Sequence, residues 1–124
     1  MLGSSLATAI SNVPWDGPCA STQVGMINGE FIINPTNAEK TVSDLNLTVA
    51  STRDKVIMIE AGANCISDDQ MIEAIYKADE INKQSNSFSD RIIAERGKEK
   101  TPYESHAVPQ ALFEKIKSSV PQTE

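Results

Sequence analysis

The hydrophobic pattern changes period abruptly near Ser67, and that change does most to limit the folds open to this chain. Ahead of Ser67, apolar residues recur at every second position in short runs, as in half-buried strands. Beyond it they recur at every third or fourth position, as along one face of a helix. A block of short strands followed by a long helix defines an α+β (α/β) fold, with the helix packed on the sheet.

Four extended segments are read ahead of the change, at residues 22–28, 30–34, 45–51 and 55–61. Asn28-Gly29 joins the first two, because both central positions of a type I′ hairpin turn need positive φ. Residues 52–55 turn the second pair. VIMIE, residues 56–60, is too continuously apolar for a one-faced strand and is expected inside the sheet. NPTNAEKTVSD, residues 34–44, reads as a polar loop opened by Asn-Pro.

Ser67 and Gln70 form a capping-box pattern, and Asp68 and Asp69 stand where the helix dipole favours negative charge. Met71, Ile72, Ile75 and Ala78 are the stripe expected on the sheet. The pattern thins through QSNS, residues 84–87, which allows a bend near Ser85, and it stops at Gly97. A charged linker follows at residues 98–107. Pro109 then stands at the first position of a second helix carrying Leu112, Phe113 and Ile116, which Pro121 closes. At the other end, Leu2, Leu6 and Ile10 lie four apart, like the back half of a helix without a capping signal, so the chain reads as a fragment.

Charge and motifs exclude several functions. With 17 acidic against 11 basic residues and a net charge of −6, the chain lacks the positive field of a free-standing nucleic-acid clamp. No apolar run approaches the ~18 residues of a membrane span, and a cytoplasmic location without membrane contact is expected. Cys19 and Cys65 have no metal-ligand spacing and are read as free thiols. Gly25, Gly29 and Gly62 make no phosphate loop. His106 lies in the charged linker with no nucleophile near it in sequence, and Trp15 reads as a packing residue.

One polar row remains. In VSDLNLTVAST, residues 42–52, Asp44, Asn46 and Thr48 fall two apart and share one face of an extended chain, while Leu45, Leu47 and Val49 share the other. Any half-buried strand shows the same alternation, so the row by itself reads first as a wet face and only second as a site.

The runs ISNVPWDGPCASTQVGMINGEFIINPT, SDLNLTVASTRDKVIMIEAGAN and SDDQMIEAI resemble the first of the two ribonuclease PH-like core domains of the bacterial polynucleotide phosphorylase family. AERGKEK and SHAVPQALFEKIK resemble that family's passage into an all-helical linker. The resemblance implies a partial ribonuclease PH-like domain with a mixed β-sheet: its C-terminal half over residues 1–97 and the start of the helical linker over 98–124. It implies a parent enzyme, a polyribonucleotide nucleotidyltransferase, that degrades RNA from its 3′ end by phosphorolysis and releases nucleoside diphosphates. It implies homotrimeric rings around an RNA channel, with RNA and inorganic phosphate as partners and Mg²⁺ in the second core.

In the family's active core the matching strand carries an acidic residue, a second acid two positions on and a lysine two beyond. Here Asp44, Asn46 and Thr48 stand in that row, an amide in place of a carboxylate and a hydroxyl in place of the cation. The resemblance therefore implies a degenerate copy of the site, with no catalytic or metal-binding residue in this chain and a structural, RNA-channel or ring-forming role. The family's phosphate loop and RNA-gripping arginines would lie upstream of Met1, so no RNA-binding residue is assigned. A non-catalytic assembly or RNA-binding module derived from the same domain is the alternative, and an unrelated α+β binding protein is the third reading.

Overall fold

Asn28 and Gly29 hold φ of 53° and 82°, and this left-handed pair folds strand β1 (Ala20–Ile27) back on β2 (Glu30–Ile33) as the turn chemistry predicts. The computed structural model describes residues 1–120. Strands β3 (Leu45–Ser51) and β4 (Val56–Ala63) complete a four-stranded sheet in the order β2-β1-β3-β4. All three pairings are antiparallel, so the sheet is not mixed among the described residues, while the α+β class holds.

Three helices surround the sheet in sequence order: α1 (Leu2–Ile10), α2 (Asn37–Val42) and α3 (Asp68–Arg96). A fourth, α4 (Gln110–Ser119), follows the linker. Pro109 caps α4 from one position before its first helical residue, and Pro121 lies outside the described residues. Every residue of α4 is exposed, including Leu112, Phe113 and Ile116.

Helix α2 replaces the expected polar loop. Its signal is the capping box of Thr36 and Glu39: the Thr36 hydroxyl accepts from the Glu39 N–H at 3.3 Å, and the Glu39 carboxylate accepts from the Thr36 N–H at 2.6 Å. The Thr36 hydroxyl also donates to that carboxylate at 2.7 Å, and this bond, with the one from the Thr36 N–H, holds the Glu39 pKa below the ordinary carboxylate value. Ser67 and Gln70 cap α3 in the same reciprocal way, as the sequence predicts.

The core forms where α3 lies across β1 and β3. Val24, Met26, Leu45, Leu47 and Val49 supply the sheet side, and Ala74 and Ala78 supply the helix side. Met71 and Ile75 pack at the margin as expected, but Ile72 is 51% exposed. The helix is rotated from the face its large apolar residues suggest, because small residues allow helix and sheet backbones to approach closely. The buried stripe runs Ala74, Ala78, Asn82, Asn86 and Ser89.

That stripe also explains why α3 runs unbroken through QSNS. Asn82 donates from Nδ2 to the Val49 carbonyl at 3.0 Å and to Ser51 Oγ at 3.2 Å, and Asn86 donates to the Ser51 carbonyl at 3.0 Å. Asn82 is bonded at both ends of its amide, whereas Asn86 is held through Nδ2 alone and its Oδ1 has no partner, so polarity here marks the interior.

Strand β4 departs furthest from expectation. It is the edge of the sheet, and all of its residues are exposed. The continuous apolar character of residues 56–60 reflects two uncovered faces rather than two covered ones.

The start of the linker is fastened to α1. Lys98 N–H donates to the Ile10 carbonyl at 3.0 Å, and Thr101 N–H donates to the Asn12 carbonyl at 2.8 Å. The Lys100 ammonium donates to the carbonyls of Ala9 at 2.7 Å and Ser11 at 2.8 Å, where the negative end of the helix dipole favours a cation.

Candidate functional site

The alternation of β3 sorts its side chains as the sequence predicts. Leu45, Leu47 and Val49 are buried beneath α3, while Asn46 and Thr48 face the opposite side of the sheet. Asp44 stands just before the strand, its backbone N–H donating to the Met26 carbonyl and its carbonyl accepting from the Asn64 N–H, with the residue exposed.

Strand register builds the rest. Thr48 lies between Gln23 of β1 and Glu60 of β4, and Asn46 lies between Gly25 and Gly62. The result is a groove of about 400 Å³ lined by Gln23, Asn46, Thr48, Glu60, Ala61 and Gly62. A Cβ at Gly62 would meet nothing within 4 Å, so the groove is open there. Lys40 of α2 reaches the same face and donates to Gln23 Oε1 at 2.7 Å.

The structure thus brings Asn46 and Thr48 together in one groove, and Asp44 is not among the lining residues. It adds Gln23, Glu60 and Lys40, which the sequence reading did not single out. Glu60 reaches the groove through a β-bulge. The pairing shifts by one residue between Ala50 and Ser51, so that Ile57 is the extra residue and Glu60, instead of Ile59, faces Thr48.

The donor set is mostly neutral: two amides, one hydroxyl and a single carboxylate. Mg²⁺ takes near-octahedral oxygen ligation anchored on carboxylates or phosphates, and this set does not supply it. Among the described residues no three His, Cys, Asp or Glu side chains cluster in a way that could hold a metal ion. The nearby cation, Lys40, is already engaged with Gln23. The groove can offer hydrogen bonds to a polar ligand, but it has no concentrated charge with which to stabilise a transferring phosphoryl group.

An antiparallel sheet with one long helix on its inner face and a polar groove on its outer face defines an α+β fold. Residues 17–80, which span β1 through the first part of α3 and include the groove, match the 3′ exoribonuclease family, domain 2, and the chain belongs to that family. It is 58% identical, over 97% of its length, to a polyribonucleotide nucleotidyltransferase of Lachnoclostridium phytofermentans. The enzymes of that name from Caldicellulosiruptor saccharolyticus and Bacillus velezensis are 47% and 45% identical over 94% and 95% of the chain. The chain spans 17% of the length of each of these three relatives. No helix among the described residues is long and apolar enough to cross a membrane.

Proposed function

We propose that this chain is a non-catalytic segment of a polyribonucleotide nucleotidyltransferase, a cytoplasmic enzyme that shortens RNA from its 3′ end by phosphorolysis. In this reading residues 1–97 are the C-terminal half of the first ribonuclease PH-like core and 98–124 begin the helical linker. The parent assembles as a homotrimer around an RNA channel. Inorganic phosphate attacks the terminal phosphodiester in the second core, where Mg²⁺ is held, and nucleoside diphosphates are released. The segment described here contributes sheet and helix to the wall of that assembly.

The observation that carries the reading is the chemistry of the groove. Asn46 and Thr48 are neutral where a metal carboxylate and a phosphate-binding cation are required, and the one cation beside them is bonded to Gln23. The uncovered edge strand β4 agrees with a segment built to be completed by other chain.

Incubation with 3′-labelled RNA, phosphate and Mg²⁺ tests it. No nucleoside diphosphate should appear. Release that is lost in Asp44→Ala or Glu60→Gln would overturn the reading and place a working site on this sheet.

A further inference from the structure

A second groove lies far along the chain from the first, between the turn ahead of β1 and the fastened start of the linker. Its volume is about 380 Å³; Pro14, Trp15 and Asp16 form one wall, and Lys100, Pro102 and Tyr103 contribute to the other. The walls are locked together rather than merely adjacent. Thr101 N–H donates to the Asn12 carbonyl at 2.8 Å, Asn12 Nδ2 donates back to Thr101 Oγ1 at 3.1 Å, and Lys100 holds the Ser11 carbonyl at 2.8 Å. The base of the groove is fixed in this way, with Pro102 and Tyr103 following directly on the last of these bonds, so filling it orders few residues.

The aromatic groups have different settings. The Trp15 ring lies against Gly17, where any Cβ would fall 2.3 Å from ring atoms, so glycine is what allows the indole to sit flat in its place. Tyr103 is 72% exposed. A large aromatic side chain left in water beside a fixed indole and two prolines is a surface that contact would desolvate favourably.

Charge then selects the occupant. Asp16 is exposed and forms no ion pair among the described residues, while the Lys100 ammonium is spent on two backbone carbonyls. The net charge of the chain is −6. A polyanion would meet Asp16 and an acidic field with no available cation in the groove, whereas a basic group would find a free carboxylate. Aromatic-lined grooves recognise proline-bearing segments because the polyproline II conformation is formed in advance and its rings stack on aromatic faces.

We propose that this groove docks an extended, proline-bearing peptide segment with an arginine beside the prolines, the rings resting on Trp15 and Tyr103 and the guanidinium meeting Asp16. Trp15 is the sole tryptophan of the chain, so its fluorescence reports occupancy directly.

The test titrates the chain with a proline-rich peptide containing one arginine, with the same peptide bearing alanine for each proline, and with oligoadenylate. The proline peptide should give a saturable change in Trp15 emission, and its alanine counterpart and Tyr103→Ala should each bind about ten-fold more weakly. Asp16→Asn should weaken binding at low salt and remove most of its salt dependence. Both substituted side chains are exposed, and circular dichroism verifies that each variant keeps its fold; should Tyr103→Ala fail, Asp16→Asn carries the test. The proposal is overturned by no saturable response to the proline peptide, by a stronger response to oligoadenylate, or by unchanged affinity in the folded variants.

Discussion

The Thr22 hydroxyl donates to Oδ1 of Asn82 at 2.9 Å, joining strand β1 to helix α3 across 60 positions of sequence. Both residues are buried, and the same amide donates to the Val49 carbonyl and Ser51 Oγ of β3. One side chain therefore fixes the helix against the two central strands and sets its rotation about its own axis. Truncating Asn82 removes a partner from three groups at once and leaves the buried Thr22 hydroxyl without its acceptor.

Asn82→Ala should cost about 3 kcal/mol, and Asn82→Leu should be no milder although it restores volume, because the Thr22 hydroxyl still lacks its acceptor. Urea denaturation with an unchanged slope is the measurement. In a double-mutant cycle with Thr22→Val the two changes should be strongly non-additive. A cost below about 0.5 kcal/mol for Asn82→Ala would mean that water replaces the amide.

The rotation of α3 gives a second expectation. Ala78 has no exposed surface, and Ala78→Leu should destabilise by about 1–3 kcal/mol through overpacking. Ile72→Ala, at an exposed position, should fall within about 0.5 kcal/mol of the parent. Ser67→Ala should cost about 1 kcal/mol by removing the cap. Thermal or denaturant melts of the three variants rank them.

Association should run through β4. Ile57 and Ile59 are 56% and 50% exposed on an unpaired edge, which invites strand pairing with other chains. Sedimentation of the isolated chain should show oligomers, and Ile57→Lys or Ile59→Lys should shift the distribution toward monomer. A parent chain that is already monomeric would contradict this.

Acid and base act on one pair at the margin of the buried face of α3, where the Asp79 side chain is mostly covered and Lys83 is exposed. Burial pushes the Asp79 carboxyl up, but the hydrogen bond from Lys83 together with the nearby Ser51 hydroxyl outweighs it and holds the pKa below the ordinary carboxylate value, while Oδ1 has no hydrogen-bond partner. The hydrogen bond to Asp79 raises the Lys83 pKa in turn, with the ammonium 2.7 Å from Oδ2. Asp79 therefore stabilises the fold above its unfolded value of about 3.9, and the contribution is lost as pH falls through the lower folded value. The Lys83 contribution is full below its unfolded value of about 10.4 and is lost as pH rises through the raised folded value. Lys83→Met should move the acid limb of the stability profile to higher pH, because burial then acts on Asp79 with less compensation; an unmoved limb would exclude the pair as its source.

Much of this fold is legible in the sequence because its devices are local. The Asn28-Gly29 turn, the Ser67 capping box and the alternation of β3 each act over a few residues and appear where their chemistry puts them. What escapes is set by pairing across distance. Asn82 and Asn86 look like solvent residues until Val49 and Ser51 are seen to receive them. VIMIE reads as interior because apolar content does not say which side of a strand is occupied. The groove is half legible for the same reason: Asn46 and Thr48 follow from period two, whereas Glu60 depends on one bulged residue that no short pattern announces. Thr36-x-x-Glu39 was a readable signal, masked by the Asn-Pro in front of it.

The fastening of residues 98–101 to α1 sets a tether length. The hydrogen bonds to α1 end at Thr101, leaving the eight residues 102–109 as the leash to α4. Fully extended, such a leash spans at most about 28 Å, and as a flexible coil it averages roughly 15 Å. A receptor surface that captures the apolar side of α4 must therefore sit within one domain's width of Thr101. Inside that radius the helix is presented at an effective concentration in the millimolar range, so a contact too weak to hold a free peptide would still hold this one. Cutting the leash would abolish that advantage without disturbing the sheet.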